Sequence, residues 1–374
     1  MEEVKRKRGR PRKNPIQLPQ EVKELVNEVQ AKSEQNSFLP SDEIPTPKRD
    51  SEWDVTLDDE IKFFDKNLSY ELTGYRPIND KQGLDFNPAW FTEARDTFKR
   101  TGHYCSFKPK QKAYRDFWKQ EYTRCREGMT VNGYTITGDH YFFLNYYRLN
   151  NTTNAKKAMS AVDKDFPDFI VAQYEYLHYL EICKRLRKNA ALMKARALGF
   201  SEMNASITAN FYSTSRNSTG IIVAAEEKKL TPTLTKLWEE LSFLNYNTDG
   251  GFFKLRQVID KAYHKKASRY EILNGQKVEV GFGSQLIGII ADTPDKVRGY
   301  RCGLLIFEEA GSFPNLQRAV IQGEALLDVG GNKIGISLIG GTGGDARGAA
   351  LEGLRNIYYN PDDFDVLPYR HNYT

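Results

Sequence analysis

The chain has 374 residues, 40% of them hydrophobic and 28% charged, and a formal net charge of +5 at pH 7. That is the balance of a polar globular protein of roughly two to three domain-sized units. No apolar run approaches membrane-spanning length, and the basic N-terminus runs into Pro11, Pro15 and Pro19 rather than an apolar stretch, which excludes a spanning helix and a secretory signal.

Residues 1–52 read as a disordered basic arm. Residues 5–13 hold seven Lys or Arg and no acid, so the rest of the chain is nearly neutral and the arm is aimed at a polyanion. Gln20 to Lys32 sets Val22, Leu25, Val26 and Val29 at helical spacing, and Pro40, Pro45 and Pro47 then block helix. Residues 53–160 are dense in aromatics, among them Tyr104, Tyr114, Phe117, Trp118 and Tyr122, and read as a helix-rich subdomain with a core of stacked rings. Within it, Thr130 to Gly138 reads as a hairpin, because Asn132-Gly133 supplies the positive φ of a tight turn. Cys105, Cys125, Cys183 and Cys302 are sparse and lack CxxC spacing. They read as reduced thiols, and a zinc site with His103 and His140 would lack ligand pairs at finger-like spacing.

From residue 161 to about 360, strands and helices alternate. The periodicity predicts helices at Val171–Arg187, Ser201–Tyr212 and Lys229–Leu244. It predicts strands at Ala190–Met193, Gly220–Ala225, Val278–Phe282, Leu286–Ala291, Leu304–Phe307 and Ile334–Ile339. Strands joined by helical crossovers make an α/β fold, a mainly parallel sheet with helices on both faces. Its ligands sit beyond the carboxyl ends of the strands. Residues 361–374 read as a linker.

Three strand ends carry polar motifs. Ala190-Ala-Leu-Met-Lys194-Ala195-Arg196-Ala197-Leu198-Gly199-Phe200-Ser201 gives strand, loop and helix in the order of a phosphate-binding loop. Gly199 lets the backbone approach closely, and Ser201 can offer its hydroxyl to Mg²⁺. The pattern departs from GxxxxGK[ST], since Ala195 replaces the first glycine and Phe200 the lysine. Lys194 and Arg196 are the cations placed to substitute on the phosphates, Arg196 through its planar fork. Leu304-Leu-Ile-Phe307 ends in Glu308-Glu309. Glu308 takes the Mg²⁺ role and Glu309 the role of general base on the attacking water. Arg298 and Arg301 add cations near that edge. Lys333 to Ile339 runs into Gly340-Gly-Thr342-Gly-Gly344, where Thr342 can contact the γ-phosphate of ATP.

Taken together, these motifs over about residues 60–350 resemble the ATPase of the large terminase subunit of tailed bacteriophages, a DNA-packaging motor. Lys194 to Ser201 (KARALGFS) is similar to the variant loop of lambda-like terminases. Val297 to Ala310 resembles the segment entering that family's acidic strand. Gly340 to Asp345 resembles its coupling motif, and Ile136 to Asn145 a segment common before the ATPase core. The resemblance implies a P-loop NTPase fold of the ASCE type, with ATP and Mg²⁺ as cofactors. It implies an adenine contact upstream of the loop, for which Gln173 and Tyr174 are the candidates. It implies double-stranded DNA, a portal protein and a small terminase subunit as partners, a pentameric homo-oligomeric ring, and no membrane. The implied place is the cytoplasm of an infected bacterial host, transiently at the portal vertex of the procapsid and not retained in the virion. The family also implies a C-terminal nuclease, but Asp362, Asp363 and Asp365 are too bunched for its metal site. No nuclease activity is expected from this chain, which is read as a fragment of a longer protein or as working beside a nuclease encoded elsewhere.

In the arm, Arg8-Gly9-Arg10-Pro11-Arg12 resembles an AT-hook. Gly and Pro keep such a segment extended while arginines enter the narrow minor groove of A·T tracts; a generic polybasic tail is the plainer reading. The reading at this point is an ATP-hydrolysing viral packaging motor. Its rivals are another DNA-translocating P-loop ATPase such as a helicase, and an inactive DNA-binding scaffold.

Overall fold

The structure is a computed structural model and describes residues 66–78, 86–150, 164–193, 199–248, 252, 257–291, 293, 296–297, 299–341 and 349–368. The arm, Lys194 to Leu198, Arg298 and Thr342 lie outside the described residues.

Helices α1 (Lys66–Thr73), α2 (Glu93–Thr101) and α3 (Lys112–Glu127) open the described chain. The hairpin β1 (Met129–Val131) and β2 (Tyr134–Ile136) follows, turning at Asn132 and Gly133, both at positive φ. Helix α4 (Gly138–Tyr146) is buried along its whole length, which is why its sequence shows no apolar stripe. The short β3 (Leu149–Asn150) and β4 (Lys164–Asp165) pair antiparallel. Helix α5 (Val171–Leu186) leads into β5 (Asn189–Met193), α6 (Phe200–Thr214), β6 (Thr219–Ala224) and α7 (Glu227–Asn247). Then come β7 (Gln257–Lys261), β8 (His264–Leu273), β9 (Gln276–Ile290) and β10 (Leu304–Phe307). The chain continues with α8 (Leu316–Glu324), the small pair β11 (Asp328–Val329) and β12 (Asn332–Lys333), β13 (Ile336–Gly341), α9 (Ala349–Tyr359) and β14 (Val366–Pro368).

One eight-stranded sheet organises the molecule, in the order β14-β5-β13-β10-β6-β9-β8-β7. The strands from β14 to β9 are parallel, and β8 and β7 extend the edge antiparallel. The fold is therefore the expected mainly parallel α/β sheet, with β13 inserted between β5 and β10. Alternate residues of the central strands feed two cores. Leu304 and Ile306 join a cluster with α5, α6, α7 and the aromatic helices, while Leu305 and Phe307 join a second cluster with α8 and α9. Burial on both faces is why these strands read as unbroken apolar runs. Among the described residues, no helix is long and apolar enough to cross a membrane.

The structure adds β7, α8, α9 and the small pairs β3–β4 and β11–β12 to the elements read from sequence, and it differs along the main sheet as follows. The strands expected at 278–282 and 286–291 are one continuous β9. Its partner β8 had no expected counterpart, and the two run past β6 and β7 as a ribbon, with a register shift between Ala267 and Ser268. Gly340 and Gly341 are the last residues of β13 rather than the start of a loop. Residues 366–368, expected in a linker, pair with β5 as an edge strand.

Candidate functional site

The register of the sheet brings the three motifs together. Met193, the last residue of β5, lies opposite Gly341, the last of β13, and Phe307, the last of β10, lies opposite Ile339. The loop after Met193, the acids after Phe307 and the loop after Gly341 therefore leave from one carboxyl edge of the sheet. Helix α6 begins at that edge. Its capping residue Gly199 is left-handed at φ 73°, a conformation glycine adopts without a Cβ clash. The first N–H groups of α6 have no intrahelical partner and carry the positive end of the helix dipole.

Phe200 explains why the lysine is missing. Its ring is 2% exposed, packed beside Tyr176 of α5 (centroids 5.8 Å apart) and against Gly340 of β13. A Cβ on Gly340 would stand 2.3 Å from the ring, so the strand must be bare there. The Phe200 side chain is thus a core wedge between strand and helix, which leaves only its main chain for the nucleotide-binding role the sequence reading gave it. Ser201, the next residue, is half-buried on the first turn of α6. Glu202 turns aside to accept from the Tyr147 hydroxyl (2.8 Å) and to pair with Lys236 (2.7 Å).

Glu308 and Glu309 adopt different settings. The Glu308 side chain is 1% exposed. Asn204 Nδ2 of α6 donates to its Oε2 at 2.7 Å, and Thr233 Oγ1 of α7 donates to its Oε1 at 3.3 Å. Glu309 is half-buried and left-handed (φ 51°, ψ 50°), a conformation that costs a non-glycine residue on the order of 1 kcal/mol. Its carbonyl accepts from the N–H and hydroxyl of Ser312, which hold the turn. A Cβ on Gly341 would lie 2.8 Å from the Ala310 nitrogen, so β13 passes directly beside this turn.

Of the upstream pair, Gln173 lies at the site and Tyr174 does not. Gln173 is 6% exposed, and its Nε2 would stand 3.2 Å from a Cβ on Gly199. Its Oε1 has no partner among the described residues. Tyr174 is fully buried among Tyr75, His140, Phe169 and His178, and its hydroxyl meets the main chain of Arg76. With four rings around it, Tyr174 has no face left for a base, and the adenine contact expected of it is corrected to a core role. Lys194, Ala195, Arg196, Ala197, Leu198, Thr342 and the arm residues Arg8, Gly9, Arg10, Pro11 and Arg12 lie outside the described residues.

The sequence reading missed Asn204 and Thr233. The signal for Asn204 was an amide three residues after Ser201, hence on the same face of α6, in a helix otherwise bound for the core. The residues present fit a small hard cation. Ser201 and Glu308 are oxygen donors, and Asn204 Oδ1 is a buried acceptor without a partner among the described residues. Among those residues no group of three or more His, Cys, Asp or Glu gathers that could hold a metal. Few protein oxygens with much water is the habit of Mg²⁺.

No protein-family model matches the chain, and no curated protein matches it. Solved structures do. The large terminase ATPase domain of Thermus phage P74-26 superposes with a TM-score of 0.32 at 20% identity, over 40% of this chain and 58% of that one. The large terminase of a thermophilic bacteriophage, in complex with ADP, superposes with a TM-score of 0.33 at 15% identity, over 50% of this chain and 40% of that one. The chain thus spans less than two thirds of the length of either.

Proposed function

We propose that this chain is the ATPase region of a viral DNA-packaging motor of the large-terminase kind, coupling Mg²⁺-dependent ATP hydrolysis to movement of double-stranded DNA into a procapsid. The observation that carries the reading is the register that sends the loop after Met193, the Glu308-Glu309 pair and the loop after Gly341 from one sheet edge, with α6 opening beside them. A buried acid such as Glu308 at a strand end is costly unless it has partners or work there.

In this reading, Lys194 and Arg196 hold the phosphates, and the N–H groups opening α6 meet the same anion. Ser201 and Glu308 hold Mg²⁺, which when bound draws charge from the phosphate oxygens. Glu309 accepts a proton from the attacking water, Thr342 senses the γ-phosphate, and Gln173 reads the edge of the adenine. The arm around Arg8, Arg10 and Arg12 grips DNA, and the working form is a ring on a portal with a small terminase subunit as partner. That ring forms in the host cytoplasm and docks at the portal vertex only during packaging. The wedge at Phe200 favours one second reading, a scaffold that binds DNA without turning over ATP, because the usual loop lysine is absent.

Glu309→Gln separates the two. The wild-type chain is expected to hydrolyse ATP with Mg²⁺ and to do so faster with double-stranded DNA. The variant is expected to keep nucleotide affinity and lose roughly 100-fold or more in turnover, in line with the loss of a general base. A wild-type chain that neither binds nor hydrolyses ATP would sink the ATPase reading and leave the scaffold.

A further inference from the structure

We infer that Asn204 is a positioning residue for the metal site: its amide nitrogen fixes the Glu308 carboxylate and its amide oxygen receives a water of the Mg²⁺ shell, with Thr233 fixing the second carboxylate oxygen. The inference rests on the ATPase reading above and names two residues that reading does not use.

The geometry is specific. Asn204 is fully buried on α6, three residues beyond Ser201 and so on the same helix face. Its Nδ2 meets Glu308 Oε2 at 2.7 Å. Only the nitrogen end of an amide can face an ionised carboxylate, so this contact settles which way the group is turned. Oδ1 is then the acceptor end of the same amide, one carbon away from the nitrogen that meets Glu308. That oxygen has no partner among the described residues, and a buried acceptor left so is unfavourable. A metal-bound water carries two protons to donate and would satisfy it. Thr233 Oγ1 comes to Glu308 Oε1 from α7 at 3.3 Å. Asn204 and Thr233 are neutral donors, so each fixes one carboxylate oxygen without adding a charge of its own.

Asn210, two turns further along α6, is the contrasting case. It too is a buried amide with Oδ1 unpartnered among the described residues, but its Nδ2 donates to the Cys125 carbonyl and to Asp139 instead of to Glu308, and joins α6 to α3 and α4. A packing role of that kind at Asn204 would leave metal affinity untouched, and this is what the test reads.

The test is a Mg²⁺ titration of fluorescent ADP binding to the purified full chain, beside the same binding in EDTA. Asn204→Leu removes both amide atoms at nearly constant volume. It is expected to raise the half-saturating Mg²⁺ concentration about tenfold while affinity in EDTA stays within about twofold, as loss of one oriented ligand predicts. Thr233→Val is expected to raise it about threefold, and Glu308→Gln at least as much as Asn204→Leu. A Mg²⁺ curve for Asn204→Leu that overlays the wild type while Glu308→Gln shifts overturns the inference and leaves the ATPase reading standing. If Glu308→Gln also overlays, or if the wild type binds no nucleotide, the ATPase reading fails and the inference with it. Should Asn204→Leu not fold, Thr233→Val decides, and an unshifted curve there overturns the inference.

Discussion

The ring of Phe200 is where the loop's chemistry and the fold's packing compete. Phe200→Ala is expected to cost about 3–5 kcal/mol by urea denaturation, the usual range for emptying a buried aromatic site. Phe200→Lys, which restores the letter of the common loop pattern, is expected to cost at least as much and to leave ATP affinity no better. Its ammonium would be pressed between Tyr176 and Gly340, with no phosphate to meet. A gain of affinity in Phe200→Lys would show that the wedge is dispensable. Two buried histidines make a second prediction. Burial pushes His140 down to about 3, helped by His178, and pushes His178 down to about 4. His178 is held neutral between the Thr73 hydroxyl at Nδ1 and the Thr135 carbonyl at Nε2, while His140 lies on Phe169 with neither ring nitrogen partnered among the described residues. Both stay neutral in the fold, whereas the unfolded chain protonates them near 6.5. Stability is therefore full above about pH 6.5 and falls as pH drops towards 4, by up to about 1.4 kcal/mol per pH unit for each ring. In thermal melts from about pH 7 to 4, His140→Phe is expected to flatten the slope by roughly half. A profile parallel to the wild type would refute that assignment.

Element by element, what the sequence showed depended on whether burial left a period to read. β5, β6 and β10 were visible because both faces are covered and the runs are continuously apolar. The hairpin at Asn132-Gly133 was visible through its turn. The outer stretch of β8 was not, and of its partner β9 only Val278–Phe282 was, because a two-stranded ribbon beyond the sheet has solvent on both sides. Tyr270 and Ile272 stand 51% and 78% exposed there, and no alternation marks an inner face. The edge strand β14 is three residues long and was read with its polar flank as a linker. It is anchored by Asn189, a fully buried side chain at the start of β5. The Asn189 amide donates to Glu324 (2.5 Å) and the Phe364 carbonyl (2.9 Å), and its oxygen accepts from Lys333 (3.0 Å) and the Ser337 N–H (2.9 Å). Asn189→Ala orphans main-chain groups on both neighbours of β5. It is expected to cost roughly 2–4 kcal/mol in urea and to speed amide exchange across residues 366–367, whereas unchanged exchange there would mean β14 is held by pairing alone.

At the scale of the whole molecule, the fold class was legible and so was the convergence of the β5, β10 and β13 ends on one sheet edge, because both follow from the order of strands. The roles of single residues were less so. Tyr174 and Phe200 stand beside the right motifs, yet their rings face the core, and a sequence shows proximity along the chain without showing direction. Asn204 was hidden for the opposite reason, since a lone amide in a helix gives no period and meets its carboxylate from 104 positions away. The boundary read near residue 160 marks a change of composition rather than a gap in packing. Tyr75, Trp118 and Phe142 belong to the same cluster as Ala190, Ile222 and Leu304. In the language of genetic exchange, that seam is closed. A recombination event near residue 160 would split a single core and strand apolar surface on each product. The heritable unit is the aromatic helices together with the sheet, and relatives that exchange segments with this chain should do so outside that span.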